Sequence, residues 1–398
     1  MTETGPDVFA TAASRFGGRK TLLVFLLLWW PGTAYGQGFE TNLWFVRGGA
    51  TPAYILPTNP FETSAGGASD PIHWAPNLTV EIGRRTDGTS KWHKLYGTPS
   101  YGFGFSFVPL PKSIENGRPL EAYTFFSWPF ARLGDQLQVT TDFGMGLSWR
   151  WKHMNEETEV YENVLGSDLN ARINWGFYLR YLSTPRIAIY TGVDFTHRSN
   201  AGMVQPDLGI NVIGPKVGLQ YNLASEAPTR RDIDPPPFQP SWEFVVGGAG
   251  GVKNVVQKRS PIVRANFGTV DVTAAVQRHF YQFGKIAGGT DVTYDGSAGA
   301  SMDGAGREWR AGASRRWAVG VYGGYEHVIG RFSALTQVGD TVARGFANPN
   351  SSRLYTRYGW RYQVNDRVWS TLAIRAHGFR KANVLEFGAG YRIRRVSR

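Results

Sequence analysis

From Asp168 to Tyr181 the chain alternates without a break. Leu169, Ala171, Ile173, Trp175, Phe177, Leu179 and Tyr181 are apolar, and the interleaved Asp168, Asn170, Arg172, Asn174, Gly176, Tyr178 and Arg180 form a polar set with two arginines. Successive side chains leave a strand on opposite faces, so an extended segment here has one greasy face and one polar face. A soluble sandwich also alternates. Its strands, however, cluster near ~5–6 residues, whereas a strand crossing a bilayer needs ~9–11. Leu354, Thr356, Tyr358, Trp360 and Tyr362 oppose Arg353, Arg357 and Arg361 in the same way, and Leu385, Phe387, Ala389, Tyr391 and Ile393 repeat the pattern near the end. Apolar and aromatic side chains outward, with polar residues and glycine inward, mark a transmembrane barrel of the outer-membrane type. The expected fold class is therefore all-β, an outer-membrane β-barrel.

Composition agrees. Glycine supplies 49 of the 398 residues, nearly twice the usual ~7%. Aromatics make up 14% and charged residues only 19%, which suits a chain of many tight turns and excludes a disordered one. Absence of cysteine excludes a disulfide scaffold, a cysteine nucleophile, a thiolate metal site and a lipoprotein anchor. Arg15, Arg19 and Lys20 precede an apolar run at 22–30, then Pro31 and the small-residue stretch Ala34-Tyr35-Gly36. That order is a secretory signal peptide, assigned to 1–36, and its apolar run is far short of the ~20 residues of a helical span. No later apolar run reaches helical-span length either. Export assigns the net charge of +12 to anionic lipid headgroups rather than to nucleic acid.

The strands expected over 37–223 are 41–48, 76–85, 100–108, 120–130, 137–151, 167–183, 186–199 and 211–223, eight antiparallel strands in all. Long connections at 49–75, 109–119, 152–166 and 200–210 alternate with short ones at 131–136 and 183–185, as outer loops alternate with periplasmic turns. The connection 86–99 is longer than this rule allows. Residues 224–240 are a proline-rich linker that no central strand would tolerate. In 241–398 about eight more strands are expected, at 241–253, 263–281, 285–297, 307–317, 318–329, 354–364, 367–377 and 383–393. One wide barrel of about 16 strands and two barrels of eight both fit this pattern.

Residues able to do chemistry gather at one strand end. In the strand 186–199, His197 and Ser199 fall in the apolar, outward set with Val193 and Phe195, and the next strand begins with Asn211 on its own apolar face. A hairpin through 200–210 brings the three together on the outer wall near the extracellular rim. A His and a Ser two apart on a strand have Cα atoms about 6.6 Å apart. The imidazole then reaches the hydroxyl and accepts its proton, as nucleophilic ester cleavage requires, while a third side chain orients the ring. A site facing lipid implies a lipid substrate. Polar residues at a barrel's rim are the ordinary alternative. The seven histidines form no i,i+2 or i,i+4 pair, so no metal site is expected. No Gly-x-Ser-x-Gly elbow of the soluble esterases occurs.

Thr196-His197-Arg198-Ser199-Asn200-Ala201-Gly202, followed by Gln205-Pro206-Asp207-Leu208-Gly209, resembles the outer-membrane lipid A 3-O-deacylase (acyloxyacyl hydrolase-like) family over about 38–223. The resemblance implies an eight-stranded barrel with a His-x-Ser-Asn motif on its outer surface. It also implies hydrolysis of the ester-linked acyl chain at the 3-position of lipid A by a Ser, a His and a Glu, without a cofactor. Ser199 would be the nucleophile, His197 the general base and Asn200 a donor on the oxyanion side. Two positions depart from the family. Its Glu falls on Asn211, and an Asn expected in the loop falls on Asp207. An amide at 211 orients a ring but does not neutralise an imidazolium. A carboxylate at 207 either repels an oxyanion or takes over the acid's role. The expectation is an outer-membrane serine hydrolase with lipid A of lipopolysaccharide as its partner. The rival is a non-catalytic barrel, a pore or a structural protein, which the extra half 241–398 motivates.

Overall fold

The computed structural model describes residues 43–56, 73–110, 117–151, 165–205, 207–224, 237–257, 263–302, 308–346, 352–379 and 381–397. The signal peptide expected at 1–36 and most of the proline-rich linker lie outside the described residues.

The first set of strands is β1 (Trp44–Thr51), β2 (Tyr54–Ile55), β3 (Asn77–Arg85), β4 (Ser100–Phe107), β5 (Gly117–Leu133), β6 (Leu137–Trp151), β7 (Asn170–Leu182), β8 (Ile187–Ser199) and β9 (Ile210–Asn222). Chain neighbours pair in order from β3 to β9, β1 pairs with both β3 and β9, and the ring closes with eight strands. The two-residue β2 adds to β9 beyond the point where β1 leaves it.

Side chains sort as the alternation requires. Trp175, Phe177, Leu179 and Tyr181 are exposed on the wall, while Arg172, Asn174, Tyr178 and Arg180 are buried inside. Charges inside a barrel must be paired, because an isolated buried charge costs many kcal/mol. Glu121 binds Arg172 at 2.8 Å and Arg198 at 2.5 Å. Arg47 bridges Glu81 and Asp142. Asp194 accepts from Asn174 at 2.6 Å and Tyr178 at 2.5 Å, and faces Lys216. These groups fill the interior, as eight strands permit.

The chain-terminal end of this barrel carries the short connections. The unexpectedly long one, 86–99, folds into the helix α1 (Lys91–Leu95). Trp92 packs on Tyr101 and Phe126, and Tyr96 meets Phe126 and Trp128 edge-on. Phe126 and Trp128 belong to the outward set of β5, so the extra length builds an aromatic patch where barrels carry their interfacial girdle. At the opposite end Ile55, Val108, Leu110, Trp151, Ile210 and Val212 belong to a small apolar core.

The second set is β10 (Ser241–Gln257), β11 (Val263–Tyr281), β12 (Gly284–Asp295), β13 (Ser301–Met302), β14 (Glu308–Trp309), β15 (Trp317–Ile329), β16 (Phe332–Arg344), β17 (Leu354–Gln363), β18 (Val368–His377) and β19 (Lys381–Ser397). All but β13 and β14 close a second eight-stranded barrel, sealed by β10 against β19. One wide barrel is therefore excluded, and the chain forms two. Inside the second, Arg357 meets Glu386 at 2.6 Å and Asp271 at 3.1 Å, Arg361 meets Glu326 at 2.5 Å, and Lys285 meets Glu243 at 3.0 Å.

One strand assignment is corrected. Residues 307–317 do not form a barrel strand: β14 pairs only with β13, and a 3-10 turn follows at Ala313–Arg315. The missing barrel strand is β16. Its outward side carries Phe332, Ala334, Thr336, Val338 and Asp340, and its inward side Ser333, Leu335, Gln337 and Gly339, so Leu335 between Ala334 and Thr336 breaks the contrast that reveals a barrel strand. Around Trp309 and Ala311, flanked by Glu308 and Arg310, a short-lived alternation imitates one.

Candidate active site

β8 runs from the tight turn after β7 up to the end with the long connections. Ile187, Ile189 and Val193 are exposed along it, whereas Ala188, Tyr190, Asp194, Thr196 and Arg198 are buried. His197 continues the outward set. The antiparallel register puts His197 directly opposite Asn211 on β9 and Ile173 on β7. Side chains of such facing residues have Cβ atoms ~4.5–5.5 Å apart, close enough for contact.

That register produces a continuous chain of polar contacts. Nδ1 of His197 lies 2.7 Å from Oδ1 of Asn211, and Nε2 lies 3.0 Å from Oγ of Ser199. With an amide oxygen facing it, Nδ1 carries the ring proton, which leaves the Nε2 lone pair to accept from the hydroxyl. The Asn211 backbone is itself fixed, because its carbonyl accepts the Leu56 N–H at 2.8 Å.

Two loop residues complete the surroundings. Gly209 has φ +72°, and a Cβ there would stand 2.8 Å from Cε1 of His197 and 3.5 Å from Cβ of Ser199. A side chain at 209 would therefore be strained and would also push the ring. Asp207 accepts the backbone N–H of Asn200 at 3.1 Å and forms an isolated bridge with Leu165. Of the two residues that the sequence offered as partners for the imidazole, Asn211 contacts it, and the Asp207 carboxylate binds the backbone just after Ser199. The five residues singled out from the sequence, His197, Ser199, Asn200, Asp207 and Asn211, thus fall in one hairpin.

Sequence reasoning missed what holds the strand from behind. Arg198, between the two site residues, points inward to Glu121, which also accepts from Ser106 at 2.7 Å. No local signal links residues 77 positions apart. Gly209 stands inside the quoted motif, but its proximity to the ring follows only from the folded loop.

Chemically the arrangement is a hydroxyl within hydrogen-bond reach of an imidazole, with a neutral amide at the ring's other nitrogen. By strand parity His197 and Ser199 belong to the outward set with Ile173, Phe195 and Ile213, with His197 half-buried and Ser199 buried.

Residues 77–222 match the family described as Lipid A 3-O-deacylase (PagL), and residues 240–395 match Acyloxyacyl hydrolase, C-terminal domain. No curated protein matches the chain. Among solved structures it is similar to the outer membrane enzyme PagL, at 20% identity over 44% of this chain and 98% of that one, with a TM-score of 0.27. It is similar to Neisserial surface protein A (NspA) at 11% identity over 45% of this chain and 96% of that one, with a TM-score of 0.30. It is also similar to a Rhodopseudomonas blastica porin mutant at 10% identity over 88% and 99% of the two chains, with a TM-score of 0.16.

Proposed function

Because the chain belongs to the lipid A 3-O-deacylase (acyloxyacyl hydrolase) family, we propose that it is an outer-membrane serine hydrolase that removes an ester-linked acyl chain from lipid A. The observation that carries this reading is the run of contacts Ser199 to His197 to Asn211, at 3.0 and 2.7 Å, on the outward face of the first barrel.

In this mechanism Oγ of Ser199 attacks the ester carbonyl while Nε2 of His197 takes its proton. The tetrahedral oxyanion then collapses, the C–O bond to the sugar breaks, and His197 returns the proton to the departing hydroxyl. Water, deprotonated by the same imidazole, releases the fatty acid from Ser199. Asn200, whose backbone N–H donates to Asp207, is the donor that the family resemblance implies on the oxyanion side. Asn211 keeps the proton on Nδ1 but, as a neutral amide, stabilises the imidazolium through its dipole alone. A Cys-His-Asn site shows that an amide suffices behind a catalytic histidine. The substrate needs no aqueous pocket, since lipid A reaches the wall by lateral diffusion.

The ion-paired interiors argue for this reading over a pore, because each barrel closes with eight strands and fills itself with side chains. Expression in a Gram-negative host, with lipid A weighed by mass spectrometry, tests the proposal. Wild type should yield lipid A lighter by one acyl chain, and Ser199→Ala and His197→Ala should restore the full mass. Unaltered lipid A beside well-folded wild-type protein would eliminate the reading.

A further inference from the structure

The second barrel has a cavity of about 100 Å³ at the end that carries its long connections. Since ~10–15 Å³ of this kind of space already holds a water, the cavity has room for a phosphate group. Its floor is made by Asp271, Arg375 and Glu386, and its walls by Arg315, Arg316 and Arg344.

The carboxylates around it are already used. Asp271 is bound by Arg375 at 2.8 Å and Arg357 at 3.1 Å, and Glu386 by Arg357 at 2.6 Å. Asp295, higher on the wall, is bound by Lys253 at 2.9 Å. None is left to hold a cation. Two of the wall arginines differ. Nε of Arg316 donates to the Ala311 carbonyl at 2.8 Å, and a terminal nitrogen donates to the Tyr294 hydroxyl at 2.9 Å. Nε of Arg315 donates to the Gly345 carbonyl at 3.2 Å, with its guanidinium over the Phe346 ring. Among the described residues neither arginine has a carboxylate partner. Both guanidinium groups are oriented by neutral contacts.

Guanidinium groups fixed in this way around a small cavity suit an anion with several acceptor oxygens, and a fork of N–H donors matches phosphate bidentately. The low-dielectric wall of a barrel mouth strengthens such a field by focusing it. We propose that the mouth of the second barrel is a phosphate-binding site, with Arg315 and Arg316 as its principal ligands and Arg344 closing its rim. The phosphate comes either from a lipid headgroup or from a free phosphate in solution. The site is independent of the Ser199 reading, and its test measures binding alone.

The full chain in a phosphate-free neutral detergent is titrated with inorganic phosphate in one arm and with short-chain phosphatidic acid in the other. Wild type should bind at least one probe saturably, and Arg315→Gln/Arg316→Gln should bind it about tenfold more weakly or worse, since hydrogen bonds to a charged group are among the stronger ones. Arg315→Lys/Arg316→Lys should fall between them, keeping the charge and losing the fork. Saturation by inorganic phosphate identifies a site for free phosphate, and saturation by phosphatidic acid alone identifies a headgroup site. Where the double variant fails to fold, the exposed Arg344→Gln is measured instead and should also weaken binding. Equal affinities in wild type and a folded variant, or no saturable binding of either probe, would overturn the proposal.

Discussion

Asn211 places its carboxamide oxygen 2.7 Å from Nδ1 of His197. In the proposed mechanism this amide stands behind the base, and it acts there as a dipole and not as a charge. Asn211→Asp should therefore accelerate deacylation, by roughly tenfold, because a full negative charge behind the ring favours its protonated form. The same charge should move the acid limb of the pH–rate profile to higher pH. Asn211→Ala should lower the rate, since nothing then selects the Nδ1–H tautomer. Rates measured against pH for the three proteins in detergent check this, and an Asn211→Asp protein no faster than wild type would contradict it.

Asp207 is the other candidate for an acid, and its hydrogen bond runs to the Asn200 backbone instead. Asp207→Asn keeps an acceptor oxygen for that N–H, so activity should stay within a few-fold of wild type. Removing the acid of a working triad costs about 10⁴ in kcat, so a loss of that size would show that Asp207 serves the imidazole after all.

Gly209→Ala should cut activity while leaving the barrel closed. Its φ of +72° and the 2.8 Å approach of a Cβ to Cε1 of His197 combine backbone strain with displacement of the ring. Gly134→Ala is the matched control, because Gly134 has φ +71° with nothing within 4 Å of its Cβ. Both should lose about 1–2 kcal/mol of stability from the left-handed backbone. Only the first should lose deacylation.

Glu121 is shared by two buried arginines at 2.8 and 2.5 Å. Glu121→Ala leaves both charges unpaired and should destabilise the first barrel by about 3–5 kcal/mol, read as a lower urea midpoint in detergent. Because Arg198 lies between His197 and Ser199, deacylation should fall with it. Glu121→Ala with an unchanged midpoint would show that the interior pairs do not hold the wall.

Much of this was legible in the sequence, for reasons that particular residues make plain. Along β7 and β8 the contrast between Trp175 or Ile189 outside and Arg172 or Asp194 inside is large, so face and length could be read directly. That parity alone placed His197 outward. In the middle of β16 the contrast is interrupted, with Leu335 inside and Thr336 outside, and the strand is missed while the stretch around Trp309 imitates one. Closure was illegible for another reason. Two rings or one depends on β1 meeting β9 and β10 meeting β19, pairings between distant residues that alternation along one strand does not encode. The hold of Glu121 on Arg198 is hidden in the same way. In the site, spacing brought His197, Ser199 and Asn211 together, but the choice between Asn211 and Asp207 required the folded hairpin.

A serine nucleophile at 199 would be open to trapping. Wild type, Ser199→Ala and His197→Ala are treated in detergent with a long-chain alkyl fluorophosphonate, and the modified residue is located by peptide mass spectrometry. The account predicts one adduct, on Ser199, formed at least about a hundredfold more slowly in His197→Ala, as loss of a general base implies. Wild-type protein that is folded yet unlabelled, or labelled at another residue, would contradict it.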